Sequence, residues 1–204
     1  MAIPHSELQK LNPSARIELF VLELVEGLHY ATGNPSSVPT TFRFHAGSNM
    51  NTNQEIIWQG NTYQKLPMTF EGAEFSGKGQ IPRPTLTIAN LGGITRSGEV
   101  ITVTDLMIIV NVTTPQNDLT DAKLTRITTF ASELDAANFP SNTNPFGTPS
   151  ANELPQEIFF IDRKSTETRD LVQFELVSKL DQTNLQLPRR QVTRKEFKGV
   201  GTFI

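Results

Sequence analysis

Histidines and carboxylates are the residues of this sequence that could bind a metal ion. The three histidines, which share no spacing typical of metal ligands, are His5, His29 and His45. Asn117, Asp118 and Asp121 resemble part of a calcium-binding loop, but the glycine and the final glutamate of such a loop are missing. Cysteine is absent, which excludes disulfides, thiolate metal sites and cysteine nucleophiles. We therefore predict no metal site and no cofactor.

Paired carboxylates could act as general acid and base in a glycan hydrolase. Candidate pairs are Glu71 with Glu74 and Asp162 with Glu175, and we interpret both as solvated faces of strands. The sequence Gly77-Lys78-Gly79 lacks the Ser or Thr that follows the lysine of a phosphate-binding loop. Neither G-x-S-x-G nor H-E-x-x-H occurs. The sequence therefore predicts no catalytic residue, and we expect the protein not to be an enzyme.

The segments that would position such residues are mostly short and rich in β-formers. They are separated by turns containing Gly, Asn and Pro, as in all-β domains. The predicted strands are residues 15–25, 41–45, 56–58, 62–64, 68–75, 85–88, 119–130, 157–162 and 171–177. A short N-terminal helix is predicted over 6–11, whereas the apolar run 104–112 could be helix or strand. The fold class is therefore all-β or β-dominated, of the barrel or sandwich type.

A tight hairpin is the clearest local prediction. Gly60-Asn61 has the composition of a hairpin turn, and Trp58 and Tyr63 flank it as a cross-strand aromatic pair that would fix the register.

Glycines and prolines indicate further bends. Gly77 and Gly79 permit a bend, and residues 164–169 read as a polar turn. Pro82 and Pro84 are expected where a strand begins or lies at a sheet edge.

Charge and hydropathy limit the class of partner. The formal net charge of −3 argues against a general nucleic-acid binder. The longest apolar runs, 19–25 and 106–110, are too short to span a bilayer. Residues 1–10 lack the apolar core of a secretory signal. We therefore expect synthesis in the cytosol, with neither nucleic acid nor, in the resting state, a membrane as partner.

Two long segments and a basic tail complete the organisation. Residues 27–53 and 138–155 are predicted as long loops, and the chain divides into a β-rich domain, 1–187, and a segment 188–204. The residues of that last segment with a possible interface role are Arg189, Arg190, Arg194, Lys195, Phe203 and Ile204. It is either a solvated terminus or a docking arm, whose charges orient it on an acidic neighbour while its apolar end inserts as an anchor.

Several motifs occur in an order that resembles a known family. They read WQGNTYQ at 58–64, FEGAEFSGKG at 70–79, RPTLTIANL at 83–91 and DAANF at 135–139. The third begins with Arg83 and Pro84, and weaker similarity occurs at 170–180 and 188–190. On these motifs the chain resembles the minor tail protein L family of lambda-like siphophages.

The resemblance implies a virion protein at the tip of a long, non-contractile tail, assembled in the host cytoplasm. It implies a baseplate hub or adaptor, a homo-oligomer with a trimer favoured, between the distal tail ring protein and the trimeric central hub or fibre protein. Ring closure requires heterologous contacts, which we expect the two long loops and the termini to supply. Family members typically carry a cysteine-rich extension similar to an iron–sulfur site, and no such cluster is carried over to this cysteine-free sequence.

Two other functions remain open at this point. A receptor- or carbohydrate-binding β-sandwich module of the tail tip would need an exposed aromatic platform, for which one Trp and two Tyr are poor provision. A tail-associated glycan hydrolase would need two inward-facing carboxylates about 5–10 Å apart in a cleft.

Overall fold

The structure is a computed structural model, and it describes residues 3–33, 40–47, 55–74, 77, 81–92, 94–96, 98–181 and 193–200. Within these ranges the two α-helices are α1 (His5–Leu8) and α2 (Val103–Thr113). The strands are β1 (Arg16–Glu23), β2 (Thr41–His45), β3 (Glu55–Trp58), β4 (Asn61–Lys65), β5 (Met68–Glu71), β6 (Thr85–Ala89), β7 (Ile94–Arg96), β8 (Glu99–Ile101), β9 (Lys123–Phe130), β10 (Glu157–Glu167) and β11 (Leu171–Val177). The β-dominated class is confirmed, and a short N-terminal helix is present, although it ends at Leu8 and not at residue 11.

Nine of the strands form one mixed sheet, in the order β3-β4-β2-β1-β9-β10-β11-β6-β5. The β2–β4 pair is parallel and the other pairs of this sheet are antiparallel. Strands β7 and β8 form a separate hairpin. The longest uninterrupted pairing joins β1 to β9, from Arg16 opposite Phe130 to Glu23 opposite Lys123.

The chain itself draws the two halves of the sheet together. Strands β4 and β5 lie near opposite ends of the strand order, yet only Leu66 and Pro67 separate them in sequence. The Leu66 N–H donates to the carbonyl of His45 in β2, and the Ala89 N–H of β6 donates to the carbonyl of Pro67. The sheet is therefore strongly curled, although its described strands do not close into a barrel.

The concave side of this curled sheet is the main core. The Phe70 ring of β5 lies 5.6 Å from that of Phe20 in β1 and 5.8 Å from that of Phe159 in β10, so strands distant in the order meet inside. Burial of such rings and of branched aliphatic side chains contributes about 1.5–3 kcal/mol for each side chain. The fully buried members include Phe174, Leu86 and Leu124.

Helix α2 closes one end of the curled sheet, and it settles the ambiguous apolar run. Its inward residues Val103, Leu106, Met107 and Val110 are buried. Thr102 caps the helix, accepting from the Asp105 N–H while the Asp105 carboxylate accepts from the Thr102 N–H. This capping box is a sequence signal that favours helix over strand for residues 103–113.

Three strand predictions need correction at their ends. Strand β5 ends at Glu71, short of the predicted residue 75. Strand β9 begins at Lys123, and the preceding residues 118–121 form turns with positive φ at Asp118, Leu119 and Asp121. The predicted polar turn at 164–169 is wrong, because β10 continues to Glu167 and pairs with β11 as far as Val172. Polar residues suit this stretch since most of its side chains face solvent.

A buried carboxylate holds the N-terminal helix in place. The Glu7 carboxylate accepts from Lys10 and, at 3.0 Å, from the Ser14 N–H, and the Ser14 hydroxyl contacts that of Ser132 at 3.2 Å. Hydrogen bonds from Lys10 and Ser14 together lower the pKa of Glu7 from 4.5 to about 2.

We expect Glu7→Gln to destabilise the fold by about 1–2 kcal/mol at pH 7, since the neutral amide loses charge-assisted hydrogen bonds. A carboxylate with a lowered folded-state pKa stabilises the fold above its ordinary pKa of 4.5, and this contribution is lost as the pH falls towards 2. The difference in free energy of unfolding between Glu7→Gln and wild type, measured by urea unfolding, should therefore narrow as the pH falls from 4.5 towards 2. The exposed Glu74→Gln is the control, and a pH-independent difference would contradict the prediction.

Candidate assembly surfaces

The β3–β4 hairpin lies at one edge of the sheet and contains the first family-like motif. The predicted hairpin is present, but its central turn residues are Gln59 and Gly60, not Gly60-Asn61, because Asn61 pairs with Trp58. Gln59 and Gly60 both have positive φ, 50° and 72°, as in a type I′ turn. The turn therefore requires one non-glycine residue in the left-handed region.

Trp58 and Tyr63 form a diagonal pair across this hairpin. Tyr63 lies opposite Ile56, and the two aromatic rings are tilted by 59° with centroids 6.5 Å apart. Both are buried in a second apolar cluster. The other buried members of that cluster are Leu19, Ile56, Ile127, Leu134 and Phe139.

Two polar side chains from a distant segment hold the hairpin, and we call Asp135 and Asn138 the hairpin clamp. The Asp135 carboxylate accepts from the Gly60 N–H at 2.7 Å and from the Gln59 N–H at 3.2 Å. The Asn138 side chain accepts from the Ile57 N–H at 2.7 Å and donates to the Ile57 carbonyl at 2.6 Å. Asn138 thus satisfies backbone groups of edge strand β3 that would otherwise remain open to pairing.

The clamp explains one motif that the sequence alone left without a role. Asp135 and Asn138 belong to DAANF at 135–139, and Asn138 and Ile57 are 81 residues apart in sequence. Sequence reasoning did not assign these residues to a site, because a long-range side chain-to-backbone contact leaves no local periodicity.

We expect Asn138→Ala to cost about 2 kcal/mol, because the half-buried Ile57 N–H loses its side-chain partner and the Ile57 carbonyl keeps only the longer bond from the Asp135 N–H, at 3.4 Å. The variant should also accelerate amide hydrogen exchange more in residues 55–65 than in β11. The exposed Asn12→Ala is the control and should change neither property. Unchanged exchange in the hairpin of the Asn138 variant would contradict the role of the clamp.

The segment 138–155 is held against the domain and does not project freely. The buried Glu133 carboxylate accepts from the Ser150 N–H at 2.9 Å and the Asn152 N–H at 3.3 Å. The buried Asn144 amide donates to the carbonyls of Ser132 and Leu134, each at 3.0 Å. The long loop predicted there therefore offers a fixed surface.

An open groove of about 680 Å³ lies at the end of the curled sheet opposite α2. Strand β10 begins at the groove with Glu157 and ends at Glu167, which accepts from the Thr104 hydroxyl of α2 at 2.7 Å. Exposed apolar side chains of Ile81, Ile158 and Leu180 line the groove. We call this feature the groove.

Arg126 lies in the groove between two carboxylates. Its guanidinium donates to Glu157 and to Glu18, both at 2.7 Å, and lies 5.1 Å from the centre of the Phe70 ring. Burial disfavours ionisation of Glu18, but the hydrogen bond and charge of Arg126 outweigh it, and the pKa of Glu18 is lowered. Arg16 also contacts Glu18. This network keeps charged side chains at the mouth of an otherwise apolar core.

The candidate carboxylate pairs show no catalytic arrangement. Glu71 and Glu74 are both exposed, and Glu175 accepts two hydrogen bonds from Arg163 on the neighbouring strand, at 2.9 and 3.0 Å. Among the described side chains, no group of three or more His, Asp or Glu is placed to hold a metal ion.

The three histidines are structural or exposed. The buried His29 accepts from the Val25 N–H with Nδ1, and its Nε2 lies 2.8 Å from the Thr120 carbonyl oxygen, which orients it as a donor. Burial lowers the pKa of His29. His5 is exposed on α1, and His45 is buried in β2.

The structure places only part of the predicted interface set. Arg189, Arg190, Phe203, Ile204 and Gly79 lie outside the described residues. Arg194 and Lys195 are exposed within 193–200, a segment of consecutive turns, and Gly77 is in an exposed turn. The remaining predicted residues, which stand at the start of β6, are Arg83 and Pro84.

Arg83 and Pro84 tie the start of β6 to the end of β11. The Arg83 guanidinium donates to the Asp181 carboxylate at 2.7 Å. The carbonyl of Pro84, directly before β6, accepts from the Leu176 N–H at 2.9 Å. Pro82 and Pro84 thus occur where a strand begins.

Neither helix in the described part of the chain is long and apolar enough to cross a membrane.

Comparison with known proteins identifies the class. The model of the phage minor tail protein L family matches residues 36–198, a range that contains the hairpin, its clamp and strands β9 and β10 of the groove. The chain therefore belongs to the phage minor tail protein L family, and the resemblance drawn from its motifs is confirmed. One relative is tail tip protein L of Escherichia phage lambda, 31% identical over 96 residues, which are 47% of this chain and 35% of that protein. The match thus covers about a third of the relative's length.

Proposed function

We propose that this chain is a structural protein of the tail tip of a long-tailed bacteriophage, acting through assembly and not as an enzyme. The observation that carries the proposal is the family match over residues 36–198. The name of the lambda relative, a tail tip protein, supports the same place in the virion.

The placement of the family-like motifs supports a structural role. The segment 58–64 forms the edge hairpin, residues 135–139 clamp it, and residues 83–91 begin and form β6. These motifs build an edge and an interior strand of the sheet. A motif set serving catalysis would instead bring acids, bases or nucleophiles together in a pocket.

The finer proposal is a hub or adaptor that joins the six-fold distal tail ring to the trimeric central hub or fibre protein. The groove and the α2 end are different surfaces at opposite ends of the curled sheet, which suits a subunit that contacts both other copies and unlike neighbours. We favour a homotrimer, whose ring closure requires unlike patches to meet between copies. Assembly takes place in the host cytoplasm in this account.

The basic segment 188–204 is proposed as a docking arm beside the domain 1–187. In the described part, 193–200, all eight side chains are exposed, which supports a segment available to a neighbour. Deletion of 188–204 should leave the melting temperature of the domain within a few degrees of wild type and block tail completion. Normal virion yield from this deletion would refute the arm.

The receptor- or carbohydrate-binding alternative gains no support from the tryptophan and tyrosine residues. Trp58 and Tyr63 are buried, and Tyr30 is partly buried. An aromatic platform for stacking on sugars would expose the faces of such rings.

The proposed function is tested by interrupting the gene in the phage and supplying the protein from a plasmid. We expect infected cells without the protein to accumulate heads and incomplete tails, and plasmid expression to restore infectious particles. Electron micrographs of the lysates distinguish missing tail tips from normal ones. Complete, infectious particles without the protein would overturn the proposal.

A further inference from the structure

Helix α2 is apolar on its outer side as well as its inner side. Ile108 and Val112, one turn apart, are 59% and 82% exposed, although they belong to a helix whose opposite side is buried in the core. Val100 of β8 is 68% exposed, and Leu91 is 74% exposed. The side chain of Asn90, next to Leu91, hydrogen-bonds to Thr104 in the first turn of α2. A helix that is apolar all round is typical of a buried position. We call Leu91, Val100, Ile108 and Val112 the α2 face.

Acidic side chains surround the α2 face. Asp105 and Glu99 are exposed beside it. Two further acidic side chains contact α2 directly: Asp118 accepts from Asn111, and Glu167 accepts from Thr104. The basic side chain beside them is Lys164, which pairs with both. The occupant of an apolar face with this rim should be apolar and basic.

One described segment of the chain has this chemistry. Residues 193–200 contain Arg194, Lys195 and Lys198 with Glu196 as the single acid, and all of their side chains are exposed. Phe197 is 47% exposed, so about half of its ring is free to pack against an apolar surface. The segment therefore carries a basic charge excess and an apolar anchor.

The exposure of both surfaces favours a contact between copies. Residues 193–200 and the α2 face are both exposed within one chain, so they do not cover each other there. A basic segment of one subunit on the acidic-rimmed apolar face of the next gives a heterologous contact, in which unlike patches meet around a ring.

We propose that residues 193–200 of one copy dock on the α2 face of a second copy. Phe197 covers Ile108 and Val112, and the basic side chains face Glu99 and Asp105. This inference rests on the proposed function, in which several copies of the chain form a ring.

The absence of cysteine allows a direct test in the full-length protein. Ile108→Cys and Phe197→Cys are made as separate variants and mixed at equal, high concentration under mild oxidation. We expect a mixed disulfide dimer to form at least ten times faster than from Leu11→Cys with Phe197→Cys. Leu11 is the control because it is fully exposed and lies next to α1. The rate should fall several-fold in 1 M NaCl, where the Debye length is about 3 Å.

Three outcomes decide against the inference. Cross-linking no faster than the Leu11 control would overturn it. So would an internal disulfide in the Ile108→Cys/Phe197→Cys double variant without dimers from the mixture, because the segment would then dock within its own chain. The third outcome concerns charge. If Asp105→Asn, Glu99→Gln and 1 M NaCl all leave the cross-linking rate unchanged, charge does not guide the contact and the inference fails.

Failure of this inference is distinguishable from failure of the proposed function. If the mixture does not cross-link while the chain is found in the tail tip, only the docking of 193–200 on α2 falls. If the cross-link forms while virions lack the chain, the contact stands and the proposed function falls.

Discussion

Trp58→Ala is expected to lower the free energy of unfolding by about 4 kcal/mol, the largest effect of any single change proposed for this protein. Trp58 is 3% exposed and packs diagonally on Tyr63 within the second apolar cluster. Its removal leaves a large cavity beneath the edge hairpin and weakens the packing of Phe139, which follows the clamp. Urea unfolding followed by far-ultraviolet circular dichroism measures the loss.

Trp58→Phe is the matched control for that prediction. The Trp58 indole N–H has no hydrogen-bond partner among the described residues, so phenylalanine loses ring volume without losing a hydrogen bond. We expect its cost to stay below about 1.5 kcal/mol. Equal losses from the alanine and phenylalanine variants would contradict a role that depends on packing.

Arg126→Ala is expected to destabilise the fold by about 3 kcal/mol, because it leaves Glu18 and Glu157 without their shared cation. The side chain of Arg126 is 13% exposed, whereas those of the two glutamates are about a third exposed, so solvent relieves part of the penalty. Arg163→Ala removes an exposed arginine that pairs with Glu175 on the neighbouring strand. It is the control and should cost far less than Arg126→Ala, because solvent screens an exposed ion pair.

The pH dependence of the Arg126 variant has a defined sign. Glu18 has a folded-state pKa below its ordinary 4.5, so its ionised form stabilises the wild type above that pH, and the contribution is lost on further acidification. The difference between wild type and Arg126→Ala should therefore shrink as the pH falls below 4.5. Unfolding curves at pH 7, 5 and 3 measure it, and a growing difference would refute the network.

Strands with strong local patterns could be predicted from the sequence. Strand β11 was predicted with the bounds 171–177 that the structure has, because apolar and polar residues alternate there and turns flank it. Strand β1 has the β-formers and the apolar residues on both faces that an interior strand requires. These features are local, and local propensity agrees with the fold.

Elements that depend on distant partners could not be predicted in this way. The extension of β10 through polar residues to Glu167 depends on its pairing with β11, and two register shifts occur along that pair. The turn at Gln59 places a non-glycine residue at positive φ, which becomes tolerable where Asp135 accepts from the Gln59 and Gly60 N–H groups. No periodicity of the sequence reveals that contact.

Helix α2 and the groove show that surfaces are as hard to predict from the sequence as long-range contacts. The capping pair Thr102 and Asp105 could have predicted the helix, yet its apolar outer face becomes visible only once the inner face is packed. Arg126 looks like an ordinary strand residue in sequence, and the curling of the sheet is what brings it next to Phe70. Assembly surfaces of this kind are properties of the folded chain.

A cryo-electron microscopy map of the intact tail, built to side-chain detail, tests most directly whether this polypeptide works by occupying a place between neighbours. The predicted result is a ring of copies at the far end of the tube, each recognisable by its curled nine-stranded sheet. Each copy should contact the next copy at the α2 face and an unlike protein through the groove. A finished tip with no density for the chain would contradict the account.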